Sequence, residues 1–263
     1  MDLGLKDKSV IVLASSKGLG KATAHQFAAE GARVFLASRD EDALEKTAAE
    51  IRDGTGNPSV AYSVCDIKNV DSIKQLVDQA VSEHGLIDVL INNAGGPPAG
   101  TFDEVDDDAW QHAFELNLLS FVRAIREVLP YMREQGRGHI LNFASSSIKQ
   151  PIDGLILSNT FRAGITGLAK SLSQELAGDN ILINTIGPGR IGTDRVDHLD
   201  SVQSDKLGIP IEEVKEEAER KIPIGRYGEP EELARIAVFL CSLANSYVTG
   251  QSLLVDGGMV KAL

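Results

Sequence analysis

Short apolar runs and helical stripes alternate along the whole chain. Val10 to Leu13 form an uninterrupted apolar run, Ser15, Ser16, Gly18 and Gly20 open the backbone after it, and Ala24, Phe27 and Ala28 recur at helical spacing until Gly31. Ala32 to Ser38 reads as a second strand, apolar on both faces. A helix then starts near Asp40, carries Ala43, Leu44, Ala48 and Ile51, and is expected to end at Gly54. Ser59 to Cys65 predicts strand three, the stripe Ile73, Leu76, Val77, Ala80 and Val81 a helix ending at Gly85, and Ile87 to Ile91 strand four. One long helix is expected after Asp106 and a second from about Ser158 to Ala177, with strand five, His139 to Phe143, between them. Strand six spans Ile181 to Ile186, Glu229-Pro230 opens a further helix with proline at a first helical position, and Ser252 to Val255 is the last strand. Residues 193 to 225 read as an excursion with a charged amphipathic helix around Ile211, Val214 and Ala218.

Strand and helix in alternation predict an α/β protein: a doubly wound parallel sheet of about seven strands with helices on both faces, built as one domain over 1–263. In such a sheet ligands bind beyond the carboxyl ends of the strands. The polar turns fall there: Ser15 to Gly18, Ser38-Arg39, Asp66, Asn92-Asn93, Ser145 and Gly187 to Thr193. The first turn presents free backbone N–H groups and the positive end of a helix dipole, which suits a phosphate. An ordinary strand-turn-helix has a similar pattern.

Composition narrows the function. With 263 residues and 43% hydrophobic content the chain can fill one large core. A formal net charge of −12 argues against nucleic-acid or anionic-membrane binding and favours a small-molecule partner. No run is long enough for a membrane span and no signal-peptide flanks are present, so a cytoplasmic protein is expected. Cys65 and Cys241 lack metal or pairing spacing, and the five histidines are scattered, so no metal site is expected.

The segments Ala14-Ser15-Ser16-Lys17-Gly18-Leu19-Gly20, Asn92-Asn93-Ala94-Gly95, Asn117, Ser145, Pro188-Gly189 with Ile191 and Thr193, and Val248 to Gly258 together resemble the classical short-chain dehydrogenase/reductase family, near the 3-oxoacyl carrier-protein reductases. The resemblance covers essentially the whole chain and implies a Rossmann fold. It also implies a cofactor site at Ser15, Ser16, Lys17, Gly18, Leu19, Gly20, Ser38, Arg39, Asp66, Asn93, Ala94, Gly95, Pro188, Gly189, Ile191 and Thr193. Ala14 stands where the family has its first glycine.

The resemblance breaks at the catalytic pair. The family places a Tyr thirteen residues after its Ser and a Lys four residues later; counting from Ser145 gives Ser158 and Arg162. Gly167-Leu168-Ala169-Lys170-Ser171-Leu172 fixes the same register, and none of Tyr62, Tyr131, Tyr227 and Tyr247 falls in this helix. A serine hydroxyl is a much weaker acid than a phenol, and a guanidinium does not release a proton near neutral pH. The candidate catalytic set is therefore Ser145, Asn117, Ser158 and Arg162, with Lys149, Asp153 or water as other proton donors. Ser158 also reads as a helix N-cap, Lys149 and Asp153 as solvated loop charges, and Asn117 as a core amide bonded to backbone.

Where an NAD enzyme of the family carries an Asp near the end of strand two, this chain has Ser38 and then Arg39, with Lys17 in the glycine turn. Cations suit a 2′-phosphate, so NADP(H) is the expected cofactor. Two function classes remain open: an NADP-dependent oxidoreductase acting on a carbonyl or alcohol through an atypical site, and a dinucleotide-binding sensor or scaffold with little catalysis. The resemblance also implies a homodimer or homotetramer through apolar faces at Leu116 to Val122 and at Leu168, Leu172 and Leu176, faces that also read as core. It further implies a lid over the substrate formed by 193–225.

Overall fold

The computed structural model describes residues 1–262. Its seven strands form one parallel sheet: β1 (Ser9–Leu13), β2 (Arg33–Ser38), β3 (Val60–Val64), β4 (Val89–Asn92), β5 (Gly138–Phe143), β6 (Ile181–Pro188) and β7 (Ser252–Val255). The order across the sheet is β3-β2-β1-β4-β5-β6-β7, so the winding reverses between β1 and β4. Such a reversal leaves a crevice at the strand carboxyl ends.

Alternation along β1 explains why its sequence is apolar throughout. Val10 and Val12 enter one core with Phe27 and Ala28 of α1 (Gly18–Ala29), Leu44, Ala48 and Ile51 of α2 (Glu41–Thr55), and Leu233 and Ala237 of α9 (Pro230–Leu240). Ile11 and Leu13 enter the other, with Ile73, Leu76 and Val77 of α3 (Val70–His84), Phe121, Ile125 and Val128 of α5 (Ser120–Glu134), and Ile165 and Ala169 of α6 (Ile156–Glu175). Burial on both faces is the condition for a parallel sheet.

Several boundaries differ from expectation, each for a local reason. Helix α2 runs through Gly54 and ends at Gly56, whose φ of 69° supplies the left-handed C-cap. Helix α6 begins earlier than expected, with Leu155 at its N-cap; Ser158 lies inside its first turn, so it is not the cap. The single helix expected after Asp106 is three pieces: α4 (Asp107–Phe114), a π-helical turn over Glu115–Leu119, and α5. Beyond β6 the excursion holds two helices, α7 (Asp194–Leu207) and α8 (Ile211–Arg220); only α8 carried a readable stripe.

Leu116, Leu118, Leu168 and Leu172 are partly buried at the edge of the second core, and Leu176 is fully inside it. No helix among the described residues is long and apolar enough to cross a membrane.

Candidate active site

A cavity of about 470 Å³ opens along the carboxyl ends of the strands, centred on the β1/β4 reversal. Its wall includes Ser16, Lys17, Gly18 and Leu19 from the β1–α1 turn, Ser38 and Arg39 after β2, and Asp66 after β3. Asn93, Ala94 and Gly95 after β4, Ser145 after β5, Ser158 and Arg162 on α6, and Pro188, Gly189, Ile191 and Thr193 after β6 complete this set. Residues named separately from six turns and from helix α6 thus face one space.

Three candidates stand behind the wall. Ser15 is fully buried; its Oγ donates to Val12 O (2.8 Å) and accepts from Ala37 N (2.9 Å), which ties the turn to β2. Gly20 allows the turn to close: a Cβ there would lie 2.4 Å from Ala14 O and 2.9 Å from Asn93 Nδ2. Asn93 Nδ2 itself donates to Ala14 O (3.1 Å), joining the two strands at the reversal. Ala14 takes φ 47°, the left-handed conformation natural to the glycine it replaces. Asn117, the third, lies within the π-helical turn and is fully buried.

The amide of Asn117 is half used. Its Nδ2 donates to Gly95 O (2.7 Å), while its Oδ1 has no partner among the described residues. A π-turn is a frequent means of re-aiming one side chain out of a helix. The residue is thus a core amide bonded to backbone and also an acceptor held open beside the Asn93 to Gly95 segment.

Ser145 accepts a hydrogen bond from Ser147 N (3.1 Å), leaving its own proton to point into the cavity it lines. Arg162 is buried one turn after Ser158 and donates through Nη1 to Phe143 O (2.6 Å) and through Nη2 to Ala94 O (3.3 Å). It therefore braces the ends of β5 and β4 against each other. Burial, with Arg195 adding repulsion, pushes its guanidinium down to about 10, still protonated at neutral pH.

The candidate charges differ in their surroundings. Lys17 Nζ makes an exposed ion pair with Asp194 Oδ2 (2.9 Å) on the cavity wall. Arg39, exposed on the wall, has no ion pair among the described residues. Lys149 and Asp153 are exposed and outside the cavity, so the structure favours solvated loop charges.

None of the four tyrosines lines the cavity. Tyr227 donates to Asp200 Oδ2 (3.0 Å), and burial pushes its phenol up to about 12. Cys65 does reach the wall, but burial raises its thiol to about 11. The wall thus holds no side chain whose ordinary or shifted range matches neutral proton exchange.

Sequence reading missed the part of the wall contributed by α7. Arg195, Val196 and Leu199 close the cavity from that helix, and Met259 from the tail. Arg195 Nη2 donates to Pro97 O (2.7 Å) and packs where a Cβ on Gly96 would stand, 2.9 Å from its Nε. Its position two residues beyond Thr193 was the available signal.

A family model described as Enoyl-(Acyl carrier protein) reductase matches residues 13–260. The chain belongs to the short-chain dehydrogenase/reductase family. It is 34% identical over 257 residues to the 3-oxoacyl-[acyl-carrier-protein] reductase FabG of Thermotoga maritima, covering 97% of this chain and 99% of that one. Among solved structures, L-sorbose reductase from Gluconobacter frateurii, complexed with NADPH and L-sorbose, superposes with a TM-score of 0.94 at 34% identity over the whole of both chains. Actinorhodin polyketide ketoreductase with NADPH gives 0.92 at 33% identity, covering 97% of this chain and 98% of that one. Each of these relatives is named as a reductase, and the fold described above superposes on the two solved structures along nearly its whole length.

Proposed function

We propose that the protein is an NADP-dependent oxidoreductase that moves a hydride between nicotinamide and the carbonyl or alcohol carbon of a small molecule, as a 3-oxoacyl-reductase-like enzyme. The observation that carries this reading is the continuity of one cavity from the β1–α1 turn and Arg39 to Ser145 and Arg162. Its volume falls within the usual range for small-molecule sites, about 300–1,000 Å³. The residues fit the dinucleotide. Gly20 gives the backbone its close approach, α1 offers unsatisfied N–H groups, and Arg39 offers an unpaired cation beside Ser38. The NADPH held by the sorbose reductase and the ketoreductase supports the same cofactor.

Bound there, NADPH supplies the hydride. The chain's own residues handle the oxygen. Ser145 Oγ, its acceptor side occupied by Ser147 N, donates a hydrogen bond to the substrate oxygen, and the proton that completes the alcohol comes from water. Arg162 stabilises negative charge developing on that oxygen, and Asn117 Oδ1 holds a proton-carrying water behind Gly95. Ser158 lines the same cavity and bonds no protein group among the described residues, so its hydroxyl serves as the second link to water. Without a phenol the chemical step gives up about 10² to 10⁴-fold, the usual value of general acid catalysis.

Residues 1–263 form one dinucleotide-binding domain on this reading, 193–225 covers the substrate, and the protein works in the cytoplasm as a homodimer or homotetramer. The sensor or scaffold reading is favoured by the absence of a neutral-range acid from the wall. Nicotinamide fluorescence separates the readings. NADPH-selective binding together with turnover of a carbonyl panel supports the oxidoreductase, binding with no turnover supports the sensor, and no binding near millimolar, about −4 kcal/mol, overturns both.

A further inference from the structure

Five cationic side chains line the cavity: Lys17, Arg39, Arg162, Arg190 and Arg195. Lys17 is held by Asp194, and Arg190 by Asp200. Arg39 sits at the mouth beside Ser38, where the cofactor reading uses it. Arg195 is left over, and Arg162, which serves the charge developing on the substrate oxygen, likewise lacks a counter-ion. Neither has a carboxylate within ion-pair distance among the described residues, and each satisfies part of its guanidinium only with backbone carbonyls: Phe143 and Ala94 for Arg162, Pro97 for Arg195. The two repel each other across the wall, and Arg162 is buried. A buried charge without a counter-ion is costly, and a second one facing it is more so.

The guanidinium of Arg195 lies against Gly96, where a Cβ would stand 2.9 Å from Nε and Nη2 and would shift it. The surrounding wall is otherwise apolar or hydroxylic: Leu116, Ile152, Leu155, Leu199, Ser145 and Ser158. Guanidinium groups with free N–H donors in such surroundings match a planar oxyanion.

We propose that the substrate carries a carboxylate or another oxyanion, held by Arg195 so that its carbonyl oxygen faces Ser145 and Arg162. This rests on the oxidoreductase reading and narrows its substrate class. The same chemistry has a second source, the cofactor's pyrophosphate, and the test separates the two.

Protein saturated with NADP⁺, its occupancy measured first, is titrated calorimetrically with acetoacetate, oxalate and inorganic phosphate, and with methyl acetoacetate as a neutral match. At least one anion is expected to bind at about millimolar or tighter, with the ester at least about tenfold weaker. Arg195→Gln removes the charge, and Gly96→Ala keeps the charge but displaces it. Both are expected to weaken the anion at least about tenfold while NADP⁺ affinity moves less than about twofold. Circular dichroism and thermal unfolding establish that each variant is folded. Absence of anion binding, equal binding of ester and anion, or anion binding indifferent to Arg195→Gln overturns the proposal. A loss of NADP⁺ affinity in Arg195→Gln with anion binding intact assigns the arginine to the cofactor and also overturns it. Should the wild-type protein not bind NADP⁺, the same titrations on cofactor-free protein still decide the oxyanion subsite, so that failure of the cofactor reading is seen separately.

Discussion

At the scale of single residues the site is defined by two substitutions that remove a proton donor and by the groups that remain. Ser145→Ala deletes the one hydroxyl positioned by Ser147 N. Carbonyl reduction is expected to fall at least about tenfold with NADPH affinity unchanged, and stopped-flow oxidation of bound NADPH checks it. Arg39→Ala removes the exposed cation beside Ser38, where Lys17 is already engaged by Asp194. NADPH should weaken by about tenfold and NADH by less than about twofold, because only the former carries a 2′-phosphate. Equal losses for the two would place the 2′-phosphate elsewhere. Ala14 offers a different kind of test. A methyl at φ 47° costs about 1–2 kcal/mol relative to glycine, part of it returned by glycine's greater freedom when unfolded. Ala14→Gly is therefore expected to raise stability by up to about 1 kcal/mol in urea unfolding.

At the scale of elements, the β1–α1 turn is fastened from three sides: Ser15 to β2, Asn93 Nδ2 to Ala14 O, and Gly20 against that same carbonyl. Gly20→Ala would push a Cβ into backbone on two sides, 2.4 Å from Ala14 O and 2.9 Å from Ser15 Cα. Overpacking of this kind costs about 1–3 kcal/mol, and NADPH affinity should drop with it. Denaturation midpoints and fluorescence titration of the same sample check both effects. Elements whose signal is local were legible in the sequence. Strand β7 lies where its apolar run put it, Pro230 opens α9 at a first helical position, and the six polar turns converge because a parallel sheet brings every strand's carboxyl end to one edge. What escaped depends on contacts across the chain. The π-turn at Glu115–Leu119 continues a helical pattern without interruption, so nothing local marks it, yet it directs Asn117 at Gly95. Helix α7 has one buried residue, Asp200, and hence no apolar stripe to read, so Arg195 was overlooked. Ser158 reads as a cap from its polarity alone; only the packing that starts α6 at Ile156 turns it inward.

At the scale of the whole molecule, ligand chemistry occupies one edge of the sheet and a pH-sensitive network the other. Asp88, just before β4, accepts from Ser9 N (3.0 Å) and Arg137 Nε (3.1 Å), and its carboxylate is nearly enclosed. Beside it, at the carboxyl end of α3, His84 Nδ1 shares a hydrogen bond with Ser9 Oγ (2.9 Å), and burial, with Arg33 adding repulsion, pulls the imidazole down to about 4 from 6.5. His139, at the start of β5 in the same layer, is lowered by burial too. A depressed folded-state value means that the unfolded chain binds the proton first. The stability that these neutral imidazoles contribute is full above about 6.5 and is lost as pH falls towards 4. Each proton contributes a slope of at most about 1.4 kcal/mol per pH unit in that window. Urea unfolding between about pH 7 and pH 5, a range that spans the onset, should show stability declining with acid. His84→Gln should flatten the decline by close to one proton's worth. Because Arg39 and the α1 turn lie at the opposite edge, the same substitution should leave the pH dependence of NADPH binding unaltered. A change in that dependence would mean that the two edges are coupled through β1, whose residues Ser9 and Leu13 terminate at one network and the other.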